Sequence, residues 1–325
     1  MLRRTNLKEL NCVFLLTNFY TNMKISRFGP AAAGVLLLLA GIILLPSFNK
    51  PGVSGPAVPS ANLLAASLIR SFTPPANPVT SQEKFLPAHS VSARQEVLVA
   101  AAADLKFAMD SLITVFSAEQ PDIAVKAVYG SSGNFFEQIA AGAPFDIFFS
   151  ADIGYPRKLD SLHKTLAPVR SYGTGQIVLW SKRLDPSKAK MNTLLDPSIR
   201  KIAIANPAHA PYGKRAEESL RYYKLYDQIK DKLVLGENIS QTAQYAMSGA
   251  ADIGIIALSL ALSPAMQQEG GKYWVIPSDS HQPLQQGYVL LQHAKDNAGV
   301  EKFAQFTGSP RAAAVLQHFG FSEQH

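Results

Sequence analysis

The chain has 325 residues, a formal net charge of +7 and a single cysteine. Nine of its 31 basic residues but only two of its 24 acidic ones fall in residues 1–94, which leaves 22 charges of each sign in residues 95–325. That balance gives no electrostatic reason to expect nucleic acid or an anionic membrane surface as a partner. The lone Cys12 lies early, so everything after it lacks a disulfide, a thiol nucleophile, a thiolate metal site and a cysteine for lipid attachment.

Met23–Phe48 carries two basic residues and then an apolar run from Ala31 to Leu45, ended by Pro46. Fifteen residues suit the apolar core of a secretory signal and fall short of the ~20 that span a bilayer. Residues 1–48 are therefore expected to be an export signal with an upstream extension, and the competing reading is an uncleaved signal anchor tethering the chain to the inner membrane. Residues 49–94 are rich in Pro, Ser and Ala without a clear period and read as a linker.

From Glu96 onward short apolar runs alternate with helical periods, the pattern of an α/β protein with largely parallel sheets. Strands are expected at 97–102, 123–129 and 146–150, and each is followed by a helix: 105–119 with Asp104 as its N-cap, 132–141, and 154–162. The run QIVLWS at 176–181 follows the glycine-flanked turn 173–175 and reads as a crossing into a second lobe. There the alternation repeats: strand 201–205, helix 213–223, strand 233–235, helix 240–247, strand 253–256 and an extended segment at 273–276. Residues 287–291 read as the crossing back, with closing helices at 297–306 and 309–319. The expected domains are thus 95–174 with 288–325 as lobe 1 and 175–287 as lobe 2, joined by two crossover segments with a ligand cleft between them.

Several strand-to-helix junctions carry small or hydroxyl residues. Ala101, Ala102 and Ala103 precede Asp104 at the first, and Gly130, Ser131, Ser132 and Gly133 form the second. A third is the turn-rich NPAHAPYG, ending in Tyr212 and Gly213, and a fourth is Glu237, Asn238 and Ile239. A helix begins with backbone N–H groups that have no partner inside it, in a region of partial positive charge, so such ends hold anions. Four of them, two from each lobe, make an oxyanion site of neutral donors. A site made only of donors rejects an anion that carries an O–H.

The motifs AAADLKFAMDSL, VYGSSGNFFEQIAAGAPFDIFFSAD, NPAHAPYGKRAEESL, ENISQTAQYAMSGAADIGIIALSLAL and AVLQHFGF together resemble the periplasmic molybdate/tungstate-binding proteins of ABC importers, over about residues 96–321. That resemblance implies a type II periplasmic-binding-protein fold closing on a tetrahedral dianion. It also implies a membrane permease as partner, no cofactor, no catalysis, a periplasmic location and a monomer. Carried over residue by residue, the contacts fall on Asp104 with Ala103, Ser132 with Ser131, Tyr212, and the amide of Ile239. Some members place a tyrosine after the strand that ends here at Ala257, and its lack suggests the subgroup in which Tyr212 serves instead. Asp104 is a second departure, since other members carry a hydroxyl or amide side chain there. A carboxylate repels a dianion, so this one is expected to turn away and cap the helix while its amide donates.

Alternatives remain within the same residues. The anion can be sulfate or phosphate, or a triad of Ser132, His209 and an aspartate can make an exported hydrolase, though no G-x-S-x-G elbow is present. A signal-anchored sensor is a further reading. His163, His209 and His281 show no metal-ligand spacing and read as surface residues, with His209 sharing its loop with Tyr212. Asp146 and Asp152 read as turn and cap residues, and Trp180 and Tyr245 as core.

Overall fold

The computed structural model describes residues 95–322. The expected export segment, the linker and Cys12 lie outside these residues.

Two five-stranded sheets organise the chain. The first comprises β1 (Gln95–Ala102), β2 (Ile123–Gly130), β3 (Ile147–Ser150), β4 (Arg170–Gly175) and β10 (Leu284–Leu290), in the order β2-β1-β3-β10-β4. The second comprises β5 (Ile177–Ser181), β6 (Ile202–Ala205), β7 (Leu233–Gly236), β8 (Ile253–Ala257) and β9 (Lys272–Val275), in the order β7-β6-β8-β5-β9. In each sheet three strands run parallel and two are added antiparallel along one side. The chain passes from one sheet to the other at Gln176, between β4 and β5, and returns between β9 and β10.

Apolar runs buried on both faces explain the strands. The β3 and β5 residues are all buried, and Val97, Val99, Ile147, Ile177 and Ile253 are fully excluded from water. Helix α1 (Lys106–Glu119) lays Ala108, Met109, Leu112 and Phe116 on the first sheet, at the i, i+1, i+4, i+8 spacing of one face. The closing helices α7 (Ala298–Thr307) and α8 (Pro310–His318) join that core through Phe303, Phe306 and Leu316. Helices α2 (Ser132–Ala140) and α3 (Gly154–Ser161) cover the opposite face with Phe135, Ile139 and Leu159. In the second lobe α4 (Pro211–Tyr222), α5 (Ile239–Ser248) and the one-turn α6 (Leu258–Ala261) cover a core that includes Trp180. Tyr245 is only half-buried.

Three expectations are corrected. Residues 173–175, read as a glycine-flanked turn, are instead the end of strand β4, whose glycines weaken its sequence signal while its ladder with β10 holds it extended. The return crossing expected at 287–291 comes earlier, because β10 already begins at Leu284 and the register breaks between Gln286 and Gly287. Helix α1 starts at Lys106, after a 3₁₀ turn over Ala103–Leu105, so Asp104 sits inside the turn and does not cap the helix.

All the β-to-α junctions that follow parallel strands open at the carboxyl edges of the two sheets, which face each other. The α4 start sits hard on its strand: a Cβ at Gly213 would stand 2.1 Å from the carbonyl oxygen of Ala205. Because backbone cannot yield as a side chain can, Gly213→Ala is expected to cost about 1–3 kcal/mol, and a lowering of Tm by several degrees in thermal unfolding is the measurement that checks it.

Candidate functional site

Between the lobes lies a small cavity of about 10 Å³, room for about one water-sized group. This is smaller than the roughly 300–1,000 Å³ of pockets for organic ligands. Its walls include all six residues singled out from the sequence: Ala103, Asp104, Ser131, Ser132, Tyr212 and Ile239. Gly130, Ala151, Ala210 and Pro211 also border it, and none of its wall residues is Lys, Arg or His.

The helix starts explain its donors. In α2 the amide of Gly133 donates to the carbonyl of His209 at 2.9 Å and that of Asn134 to Ser131 Oγ at 3.4 Å. In α4 the first residue is Pro211, which has no N–H, and the amides of Gly213 and Lys214 both donate to the Ala210 carbonyl. In α5 the Gln241 amide donates to Asn238 Oδ1 at 3.0 Å. Among the described residues no turn, loop or side-chain acceptor takes the amides of Asp104, Ser132, Tyr212 or Ile239. Each belongs to a residue bordering the cavity. Ser132 Oγ accepts from the Ala151 amide at 3.0 Å, so its own proton is left to donate.

Asp104 departs from the expected geometry. Its carboxyl makes no helix cap. Oδ2 accepts from the Tyr212 hydroxyl at 2.9 Å and from Gln286 Nε2 at 2.8 Å, while Oδ1 is buried with no partner among the described residues. Gln286 also donates to the Tyr212 oxygen at 3.0 Å and accepts at Oε1 from the Tyr172 hydroxyl at 2.5 Å. Tyr212 thus spends its hydroxyl proton on Asp104, which leaves its amide to face the cavity. Burial pushes the Asp104 carboxyl up to about 6 from 3.8, with the bonds from Gln286 and Tyr212 pulling the other way. Burial and the neighbouring Asp104 together hold the Tyr172 and Tyr212 hydroxyls well above the usual phenol range.

Gln286 and Tyr172 were missed from the sequence. The signal for Gln286 was present as a polar residue inside the apolar strand LQQGYVL, where it is fully buried. Gly175 makes room for this network, since a Cβ there would stand 2.3 Å from the Tyr212 hydroxyl.

Further bonds tie the lobes outside the cavity. Ser240 Oγ donates to the Ala103 carbonyl and Ser259 Oγ to that of Asp104, both at 2.7 Å. His209, read as a surface residue, is packed between the lobes instead, with Nδ1 2.9 Å from Ser131 Oγ and Nε2 3.6 Å from Glu237. Asn134 Nδ2 donates to the same Glu237 carboxylate at 2.7 Å. Asp152 Oδ1 accepts from the Gly154 amide, as a turn residue does, whereas Asp146 makes long-range contacts instead, accepting from the Leu98 amide of β1 and meeting His293. His163 is exposed, and His281 meets only its neighbour's carbonyl. Ala257 is fully buried at the end of β8.

Two α/β lobes, crossed twice by the chain and closed over a cleft at their carboxyl edges, define the type II periplasmic binding protein fold. The family profile of bacterial extracellular solute-binding proteins matches residues 97–322, and the chain belongs to that family. It is 32% identical over 232 residues to the molybdate-binding protein ModA of Rhodobacter capsulatus, covering 71% of this chain and 89% of that protein. The periplasmic molybdate-binding protein of Azotobacter vinelandii matches in structure with a TM-score of 0.64 and 30% identity, over 70% of this chain and 100% of that one. The sulfate-binding protein SubI of Mycobacterium tuberculosis shares the fold at a TM-score of 0.58 and 13% identity, over 70% of this chain and 86% of that one.

The buried carboxyl sets a pH dependence of the ligand-free protein. Because the folded form holds the Asp104 proton more tightly than the unfolded chain, its contribution is fully present below pH 3.8 and is lost as pH rises through about 6. The difference in unfolding free energy between Asp104→Asn and the parent is expected to shift by about 3 kcal/mol in favour of the variant across that window. Denaturant unfolding of both proteins from pH 4 to 8 checks it. Subtracting the two curves removes opposing carboxylates such as Asp185, held at about 2 chiefly by Ser187 and then by Lys272.

Proposed function

We propose that this protein captures molybdate or tungstate outside the cytoplasm and delivers it to the membrane permease of an ABC importer. The observation that carries the reading is a small cavity between the lobes, free of cations and edged by unpaired amides from both of them. An oxyanion buried without a counter-cation is tolerated only where a full shell of oriented donors replaces its water. Ser132 supplies its hydroxyl and amide, and Asp104, Tyr212 and Ile239 supply amides, with Ala103 and Ser131 shaping the wall. These donors bind oxygen atoms, so the metal of the anion needs no protein ligand. Among the described residues there is no cluster of three or more His, Cys, Asp or Glu that could hold a metal ion.

The molybdate-binding relatives support the choice of anion, and sulfate or phosphate is the competing choice. The hydrolase alternative lacks its geometry: Ser132 Oγ engages the Ala151 amide, and His209 pairs with Ser131. We take the chain to be a non-catalytic, monomeric carrier whose first lobe is residues 95–175 with the return from Leu284 onward and whose second lobe lies between them, exported by the apolar segment within residues 1–48. Whether that segment is cleaved or stays as a tether is read out by the size of the mature chain.

Calorimetry is expected to show micromolar or tighter binding of molybdate and tungstate, with sulfate and phosphate much weaker. Ligand at 100 times its Kd should add ~2.7 kcal/mol to stability, so an unchanged melting temperature with both metal oxyanions sinks the proposal. Ser132→Ala removes one hydrogen bond to a charged group, worth about 1.5–3 kcal/mol, and should weaken binding by roughly 10- to 150-fold while leaving the ligand-free Tm within a few degrees.

A further inference from the structure

Asp104 brings an acid into a site otherwise built of donors, and its two oxygens are not equivalent. Oδ2 already accepts from the Tyr212 hydroxyl and from Gln286 Nε2. An oxygen with two donors aimed at it has no room for a proton of its own, so a protonated carboxyl carries its hydrogen on Oδ1. Oδ1 is the buried, unpartnered atom of a residue that borders the cavity. A proton placed there needs an acceptor. The amides around it are donors, and the Tyr212 and Ser132 hydroxyl oxygens already accept from Gln286 and from the Ala151 amide, whereas every oxygen of a bound anion is a free acceptor.

We propose that Asp104 makes capture proton-linked: one proton, shared between Oδ1 and an oxygen of the anion, enters the closed site with each tetrahedral dianion. The species held is then the equivalent of a monoprotonated oxyanion. This rests on the oxyanion reading of the cavity. With a weakly basic anion such as molybdate the proton stays on the carboxyl, and Oδ1–H donates. With a more basic one, of the hydrogen-phosphate kind, the proton belongs to the anion and the carboxylate accepts it. In both cases the buried charge is that of the dianion alone, and the repulsion between carboxylate and dianion is removed. A relative with an amide in this position has no such proton to take up, so Asp104 is a specificity-determining residue of this chain.

The surroundings contain no competing charge. Tyr212 and Tyr172, on α4 and β4, are the titratable groups facing the carboxyl through the network, and both are held in their neutral forms. Gln286 on β10 does not titrate. The second lobe packs on the Asp104 turn through Ser240 and Ser259, which hold main-chain oxygens. Lys106, two residues on, turns outward to Asp110 at 3.6 Å, and His209 is occupied by Ser131 and Glu237. The upward push that burial gives the Asp104 carboxyl acts in the direction this scheme needs.

The test is calorimetric titration of the full-length protein with molybdate at pH 6.5, 7.5 and 8.5, each in two buffers of different ionisation enthalpy. The expected result is uptake of about one proton per molybdate at pH 8.5, with affinity falling about tenfold per pH unit between 7.5 and 8.5. Asp104→Asn should bind molybdate with no proton uptake and no pH dependence over this range. Binding by the parent protein with no proton uptake and a constant Kd overturns the proposal and leaves the oxyanion reading standing. The absence of molybdate binding in every buffer overturns both. The proton count on the parent protein decides the matter even where the variant folds poorly.

Discussion

A dianion taken out of water with no cation beside it has to be met by neutral donors on every side, and on the proposed reading of the cavity the convergence of helix starts answers that constraint. No single helix start offers enough N–H groups, since its own caps consume most of them: Gly133 and Asn134 are already engaged, as are Gly213 and Lys214. One free amide per junction is the yield, so several junctions have to converge. Two sheets with their carboxyl edges face to face provide that convergence, and the double crossing lets them approach as two bodies.

The same constraint shows what could be read from the sequence. Alternating apolar runs and helical periods located the parallel strands and their helices, because burial on both faces leaves an unmistakable composition. The four junctions were legible for a related reason, since small residues, serines and a Pro-Tyr-Gly turn are what a helix start needs to admit an anion. Strand β4 was not legible, because its extended form depends on β10, far away in sequence, and its glycines carry no strand preference. Nor was the fate of the Asp104 carboxyl, which is decided by Gln286, 182 positions away. Local pattern offered it a helix cap, and the tertiary network offered two donors. His209 was misjudged in the same way, as its loop is polar in sequence but is pressed between the lobes once they close.

Tyr172, Gln286, Tyr212 and Asp104 form a continuous buried chain that runs from one crossing strand through the other to the floor of the cleft. Buried polar groups of this kind are costly unless every member is satisfied. Here all are, save Asp104 Oδ1. The hinge and the binding surface therefore share atoms. Any rotation that parted the lobes would break the bond from Tyr212 to Asp104, and the hydrogen-bonding of the carboxyl would change with it.

The contacts of His209 with Gly133 and Ser131, and of Glu237 with Asn134, involve no ligand atom. They have a consequence for time as well as for affinity. Bonds that join the lobes outside the cavity have to break before a held ion can leave, so they lengthen its residence without adding to the recognition of its chemistry. A carrier that travels to a distant partner needs that separation: the shell around the ion decides what is carried, and the clasp beside it decides how long.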